Sequence, residues 1–141
     1  MHKRNDTTIN LFIDKLDKSG VGISLMQNEN VYLVPYTLPG ERVKANIINK
    51  FKSKTYCSNL EILENSSDRC NKTCEHFTKC GGCLLQHWQY ENYKQWKFNL
   101  IRQPLLKLTP DIKTLDMIST ENFSRRRAKF FLQQGHNSCK V

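Results

Sequence analysis

The sequence lacks an apolar run long enough to cross a bilayer, and no apolar stretch follows the charged start Met1-His2-Lys3-Arg4. The first absence excludes a membrane-spanning helix and the second leaves no export signal to read, so a cytoplasmic protein is expected. It also lacks a glycine-rich loop after a strand that would cradle a nucleotide-like cofactor; its one Gly-Gly pair, Gly81-Gly82, is enclosed by cysteines. There is no internal repeat and no low-complexity segment. With 141 residues there is room for one ordinary domain or two small ones, too little for a large substrate-binding enzyme.

Acidic residues are scarce as well: 13 Asp+Glu stand against 22 Lys+Arg, a formal charge of +9. The imbalance is uneven, with 9 basic against 7 acidic residues over 1–66 and 13 against 6 over 67–141. A polyanionic partner is the simplest implication, because Lys and Arg that neutralise phosphates release counterions; a basic surface that serves solubility is the alternative. A hydrophobic content of 38% and a mean hydropathy of −0.61 describe a soluble folded chain.

Cysteine, by contrast, is plentiful. Six cysteines without an export signal argue against a disulfide scaffold, since cytosolic thiols are kept reduced, and turn the question to metal ligation. Four of the six fall within fourteen residues as Cys70-x3-Cys74-x5-Cys80-Gly81-Gly82-Cys83, while Cys57 and Cys139 stand apart. A Cys-x2-Cys pair grips one centre from both sides of a tight turn, and glycines between the thiolates let the backbone fold close to it. Four thiolates at this density fit a tetrahedral zinc site or an iron–sulfur cluster, and the residues alone leave the two open. Buried, unliganded thiols are the plain alternative.

Residues 8–63 read as short strands separated by turns. Thr8–Ile13 alternates, Asp17-Lys18-Ser19-Gly20 is a turn, and Gly20–Leu25 alternates Gly or Ser with apolar residues, as in a strand close to other backbone. Val31–Pro35, Arg42–Ile48 and Lys54–Leu63 complete five strands, and such spacing predicts a small closed or partly closed barrel of OB type over about 5–64. Residues 65–141 are predicted to form a second part. Its 64–86 stretch shows no periodicity and needs something such as bound metal to order it. Tyr93, Trp96, Leu100 and Pro104 recur at helical spacing, which predicts a helix over about 90–103 that Pro104 kinks or ends. Thr114–Ile118 and Ser124–Leu132 are expected as strands. The fold class expected is mainly β with one helix, α+β.

The motifs then resemble a family. Cys74-Glu75-His76-Phe77-Thr78-Lys79-Cys80-Gly81-Gly82-Cys83-Leu84-Leu85-Gln86-His87, followed by Tyr90 and a helix, is similar to the cluster signature of the bacterial 23S rRNA uracil-5-methyltransferases. Asp17–Gly22 with Val34–Glu41 resembles the TRAM domain, an OB-like RNA-binding module, and Phe123-Ser124-Arg125-Arg126-Arg127-Ala128-Lys129 resembles that family's Tyr-Arg-Arg-Arg-Ala strand. The resemblance implies a [4Fe-4S] cluster bound by Cys74, Cys80 and Cys83 and, as partner, RNA of the 23S rRNA class. The family's fourth cysteine lies well beyond the Arg-rich strand, so the fourth ligand here is left between Cys70, Cys139, an open site and a thiolate from another polypeptide. The family's methyl transfer joins a cysteine thiolate to C6 of the uracil, takes the methyl group from S-adenosylmethionine and removes the C5 proton, all on a Rossmann-like C-terminal domain. This sequence stops short of it, so the chain alone is expected not to methylate, whether as a truncated product or as half of a split enzyme with a separately encoded catalytic domain. A stand-alone RNA-binding module with a four-cysteine zinc site, or a non-functional remnant, are the rival expectations.

For RNA contact the candidates are Arg125, Arg126 and Arg127, and Lys50, Lys52 and Lys54 around Phe51 and Tyr56. On a strand Arg125 and Arg127 would share one face and Arg126 the other. Basic residues interleaved with aromatics suit single-stranded or looped RNA, whose bases stack on rings while cations track phosphates. Against that stands a reading of Phe51 and Tyr56 as barrel core with the lysines as solvated edge. Trp88, Tyr93 and Trp96 are expected as core of the helical segment, and His87 as a structural hydrogen-bonding residue near the helix start, not a ligand. Cys139 with His136 is read as no nucleophilic pair, for want of a pocket to hold either.

Overall fold

Period-two alternation makes a sheet because it gives each strand one apolar face. The computed structural model describes residues 7–26, 30–120, 124, 133–134 and 139–140. Six strands form one sheet: β1 (Thr8–Phe12), β2 (Lys15–Leu16), β3 (Gly22–Leu25), β4 (Val31–Val34), β5 (Arg42–Phe51) and β6 (Lys54–Glu64). Helix α1 (Tyr90–Leu108) follows, then the short antiparallel pair β7 (Gln133–Gln134) and β8 (Cys139–Lys140). Two compact units divide the chain, Met1–Leu100 and Ile101–Val141. The first holds the large sheet and the cysteine segment.

Neighbours in that sheet run β1-β5-β6-β4-β3-β2, antiparallel throughout except for the parallel pair β4 and β6. β1 and β2 stand at opposite ends of this order, yet only Ile13 and Asp14 separate them in the chain. They are two halves of one bent strand. On the β5 side the Ile13 N–H donates to the Glu41 carbonyl at 2.9 Å and the Gly40 N–H donates to the Ile13 carbonyl at 2.8 Å; on the β3 side the Asp14 N–H donates to the Ile23 carbonyl at 2.8 Å. The sheet thereby closes on itself as a five-stranded barrel of the OB type, as the strand spacing predicts. The α+β, mainly β class is the one expected.

Inside the barrel Leu11, Ile13, Tyr32, Val34, Val43, Ala45 and Cys57 are buried, with Ile9, Ile47 and Ile62 packed against them. The exposed Phe12, Arg42 and Lys44 alternate with them along the same strands. Gly22 supplies the close backbone approach expected of its strand: a Cβ there would collide with Thr37 Oγ1, itself buried and donating to the Val34 carbonyl at 2.8 Å. Cys57 belongs to this core, where burial pushes its thiol pKa up against the opposing pull of Lys50, so it is an inert packing residue.

Two expectations change. The helix neither ends nor breaks at Pro104 but runs on to Leu108, where the Thr109 N–H closes on the Leu105 carbonyl at 2.9 Å. The proline forfeits one backbone bond near the end of the helix, and the rest of the turn continues without it. Thr114–Ile118 is no strand: residues 112–120 carry no regular structure, and Leu115 and Ile118 are 91% and 97% exposed, with no neighbouring strand to pair with among the described residues. The expected strand at Ser124–Leu132, apart from Ser124, lies outside the described residues.

The cysteine loop and the candidate RNA interface

The segment from Asn65 to Gln89 has no helix or strand, so its order has to come from side chains and isolated bridges. Its two ends are pinned together. Arg69 and Trp88 form an antiparallel bridge, the Cys70 N–H donates to the His87 carbonyl at 2.8 Å and the Gln89 N–H to the Asp68 carbonyl at 2.9 Å. Higher up, the Cys74 N–H donates to Gln86 Oε1 at 3.1 Å. The cysteines thus sit on a loop closed at its base.

That base is anchored to the barrel through one charge pair. Glu41, fully buried after the Pro39-Gly40 turn, accepts the Leu38 N–H at 2.8 Å and receives the Arg69 guanidinium in fork fashion, Nη2 at 2.8 Å on Oε2 and Nε on Oε1. Arg69 Nη2 also donates to the Tyr36 carbonyl at 3.1 Å, holding Tyr36 at φ 62°, where non-glycine residues are uncommon. A planar guanidinium answering a carboxylate is the arrangement best suited to a desolvated pair. At the far side, Leu84 and Leu85 lie over Gly20 of the Asp17 turn, close enough that any Cβ there would press on Leu85.

Beneath the loop Phe77 is buried and meets the Tyr36 ring edge-on at 5.4 Å and the His87 ring at 5.3 Å. His87 is 1% exposed, and neither ring nitrogen has a hydrogen-bond partner; the Thr37 carbonyl acts on it only weakly. Burial, reinforced by the Arg69 charge and opposed by Glu41, pushes its pKa down to about 4, so the ring is neutral near pH 7. The expected structural position near the helix start is right, and of the expected hydrogen bonding only the weak interaction with the Thr37 carbonyl is present. Trp88 is buried and clusters with Tyr93 and Trp96 at centroid distances of 5.8 to 6.5 Å, but Tyr93 and Trp96 are only half-buried and the helix has no buried residue, so of the three expected as core only Trp88 is.

Cys74 is half-buried, and Cys80 and Cys83 are exposed on a turn in which Gly81 takes φ 71°. The Gly82 N–H donates to Cys80 Sγ at 3.4 Å. Cys70 stands at the pinned base, half-buried, its thiol 3.8 Å from the Gln86 carbonyl. Among the described residues no three His, Cys, Asp or Glu side chains are gathered tightly enough to hold a metal ion. The structure therefore brings Cys74, Cys80 and Cys83 onto one loop without converging their sulfurs. Accessible thiols, a glycine turn and a backbone N–H aimed at sulfur nonetheless suit a thiolate-ligated centre in donor chemistry.

The barrel's own basic and aromatic residues gather at the β5–β6 hairpin. Phe51 is 61% and Tyr56 41% exposed, which removes them from the core, and Lys52 Nζ lies 5.6 Å from the Phe51 ring centroid. Lys50 and Lys54 are exposed beside them. Arg125, Arg126 and Arg127 lie outside the described residues. What reading the sequence missed is the Glu41–Arg69–His87 group, whose members are far apart in the chain and meet only because the loop folds back on the barrel. No described helix is long and apolar enough to cross a membrane.

The described residues thus comprise a barrel closed by one bent strand, a pinned cysteine loop and an exposed basic-aromatic hairpin. No protein-family model matches the chain. Curated proteins do. An uncharacterized RNA methyltransferase of Brucella melitensis is 36% identical over 118 residues, 84% of this chain and 27% of that protein. One of Clostridium tetani is 32% identical over 98% of this chain and 30% of its own length. The 23S rRNA (uracil(1939)-C(5))-methyltransferase RlmD of Shewanella denitrificans is 28% identical over 90% of this chain and 28% of its own length. The chain belongs to this RNA methyltransferase family, and it spans less than a third of the length of these relatives.

Proposed function

We propose that this chain is the RNA-recognition and cluster-bearing part of an S-adenosylmethionine-dependent rRNA uridine C5-methyltransferase, the barrel serving as a TRAM-like module. The observation that carries the reading is the similarity to RNA methyltransferases over 84% to 98% of the chain, a span that takes in both the barrel and the cysteine loop. In this reading the work of these residues is to bind and orient RNA. Lys50, Lys52 and Lys54 track phosphates while Phe51 and Tyr56 offer faces for unpaired bases, and Arg125, Arg126 and Arg127 add positive charge.

Cys74, Cys80 and Cys83 would hold a [4Fe-4S] cluster, with the fourth position taken by Cys70, by Cys139 or by a thiolate from outside the chain. When bound, the cluster crosslinks a loop that has no helix or strand of its own, which fixes its outer surface for RNA. The Gly82 N–H would support the Cys80 thiolate, and the Cys74–Gln86 bond would set the near side of the loop. The test is anaerobic purification with metal and sulfide analysis, followed by RNA titration at several salt concentrations. Iron with matching sulfide, lost in a Cys80→Ser or Cys83→Ser variant, supports the reading; a colourless protein with a single zinc supports a zinc site formed by Cys70, Cys74, Cys80 and Cys83 instead. RNA affinity that ignores salt would remove the RNA half of the reading.

A further inference from the structure

Between the Tyr36 turn and the base of the cysteine loop lies a cavity of about 510 Å³, away from the basic hairpin. Its size falls within the range of about 300–1,000 Å³ usual for small-molecule sites. The wall chemistry is selective. Arg69 lines it, but Glu41 already answers that charge, so Lys72 at the exposed rim is the one uncompensated cation among the lining residues. The remaining polar lining is neutral, the amides of Asn65 and Asn71 among it, while Tyr36 and Phe77 contribute aromatic surface. A fully ionic ligand would find one cation here, whereas a flat heterocycle with amide-like edges would find both its faces and its edges matched. The floor supplies the independent sign of a missing partner: His87 is 1% exposed, lines the cavity, and has two ring nitrogens with nothing beyond the weak pull of the Thr37 carbonyl. An orphaned buried polar group is costly, and in a cavity wall it marks a place where a ligand, not the protein, completes the bonding.

We propose that this cavity receives one unstacked base of a single-stranded RNA segment, with Tyr36 and Phe77 against the ring, Asn65, Asn71 and His87 on its edges, and Lys72 on the adjoining phosphate. The inference rests on the reading of RNA as the ligand and adds a specific base pocket to it. The experiment uses the full chain and two oligoribonucleotides of equal length, one of mixed sequence and one with the same backbone but abasic throughout, titrated by fluorescence anisotropy. The intact strand binds about tenfold tighter than the abasic one if a single stacked base is engaged. His87→Phe, which keeps the aromatic contact with Phe77 and deletes the edge chemistry, and Asn71→Ala at the exposed rim lower affinity for the intact strand and leave the abasic strand unchanged. Equal affinity for both strands, or variants that weaken both alike, overturns the base pocket while RNA binding stands. Binding of neither strand overturns both readings. Photo-crosslinking of 4-thiouridine RNA to the unsubstituted chain needs no variant to fold: adducts on Tyr36 or Phe77 support the pocket, and adducts confined to Phe51 and Tyr56 overturn it.

Discussion

Replacing Glu41 by alanine tests whether the cysteine loop is held to the barrel by charge. The carboxylate is fully buried and accepts the Leu38 N–H and both arms of the Arg69 fork, so its removal strands a guanidinium and a backbone donor together. Deleting one partner of a buried pair costs about 3–5 kcal/mol; Arg69 keeps 21% side-chain exposure, which favours the lower figure, about 3 kcal/mol. The orphaned Leu38 N–H adds about 1 kcal/mol. The sum, about 4 kcal/mol, is a large part of the roughly 5–15 kcal/mol that holds a domain folded. Glu41→Gln keeps one oxygen, which in the Oε2 position still accepts from the Leu38 N–H and Arg69 Nη2 while its NH2 meets the Arg69 Nε donor, and its cost is about half. Urea unfolding followed by far-UV circular dichroism measures both, and the cycle with Arg69→Met isolates the coupling, expected at about 1–3 kcal/mol. A Glu41→Ala cost below about 1 kcal/mol, or identical costs for Ala and Gln, would refute the claim that this pair ties loop to barrel.

His87 makes stability depend on pH. Its folded pKa of about 4 lies below its ordinary 6.5, so the unfolded chain binds the extra proton first; stability is full above pH 6.5 and declines by up to about 3 kcal/mol as pH falls toward 4, a slope that His87→Phe abolishes in pH-dependent melts. Asp17 acts at lower pH. Burial raises its pKa, but hydrogen bonds from Ser19, Val21 and Gly20 outweigh that and hold it below 3.8, so the stability lost in Asp17→Ala, about 0.5 kcal/mol after solvent screening of this exposed turn, is present above pH 4 and vanishes as pH drops through the lowered value. Gly22→Ala forces a methyl group onto Thr37 Oγ1 and costs about 1–3 kcal/mol or more in thermal denaturation. Converting Lys50, Lys52 and Lys54 to alanine lowers the slope of log affinity against log salt by about 2 for a single-stranded RNA, at about 0.7 per phosphate contact, and an unchanged slope would take the hairpin out of the interface.

The barrel was legible because its information is local. Leu11, Ile13, Val43 and Ala45 face inward by simple alternation, and the Asp17–Gly20 and Leu38–Glu41 turns carry their own chemistry in the sequence. The extra strand β2 escaped notice because it is two residues long and continues β1 past a bend, so neither length nor composition separates it. The strand expected at Thr114–Ile118 failed for the converse reason: alternation says a face could be buried, not that a partner exists. The exposure of Phe51 and Tyr56 was equally invisible, since an aromatic on a strand reads the same whether it points into a barrel or out of a hairpin tip. The cysteine spacing singled out the loop, whereas the group that positions it did not show. Glu41 and Arg69 are 28 residues apart, and nothing in either neighbourhood signals the other.

The bent strand through Ile13 and Asp14 forms both margins of the main sheet, and this has a consequence for how the protein behaves in a crowded cell. A sheet with two unsatisfied borders can template growth by another chain, and borders of that kind are where swapped dimers and fibrils begin. Here the two borders are halves of one strand joined at Ile13 and Asp14, which bond to the β5 side and the β3 side respectively, so neither border is a free strand end. Cutting the backbone between Ile13 and Asp14 would let the two halves of that strand part and leave both borders open to another chain.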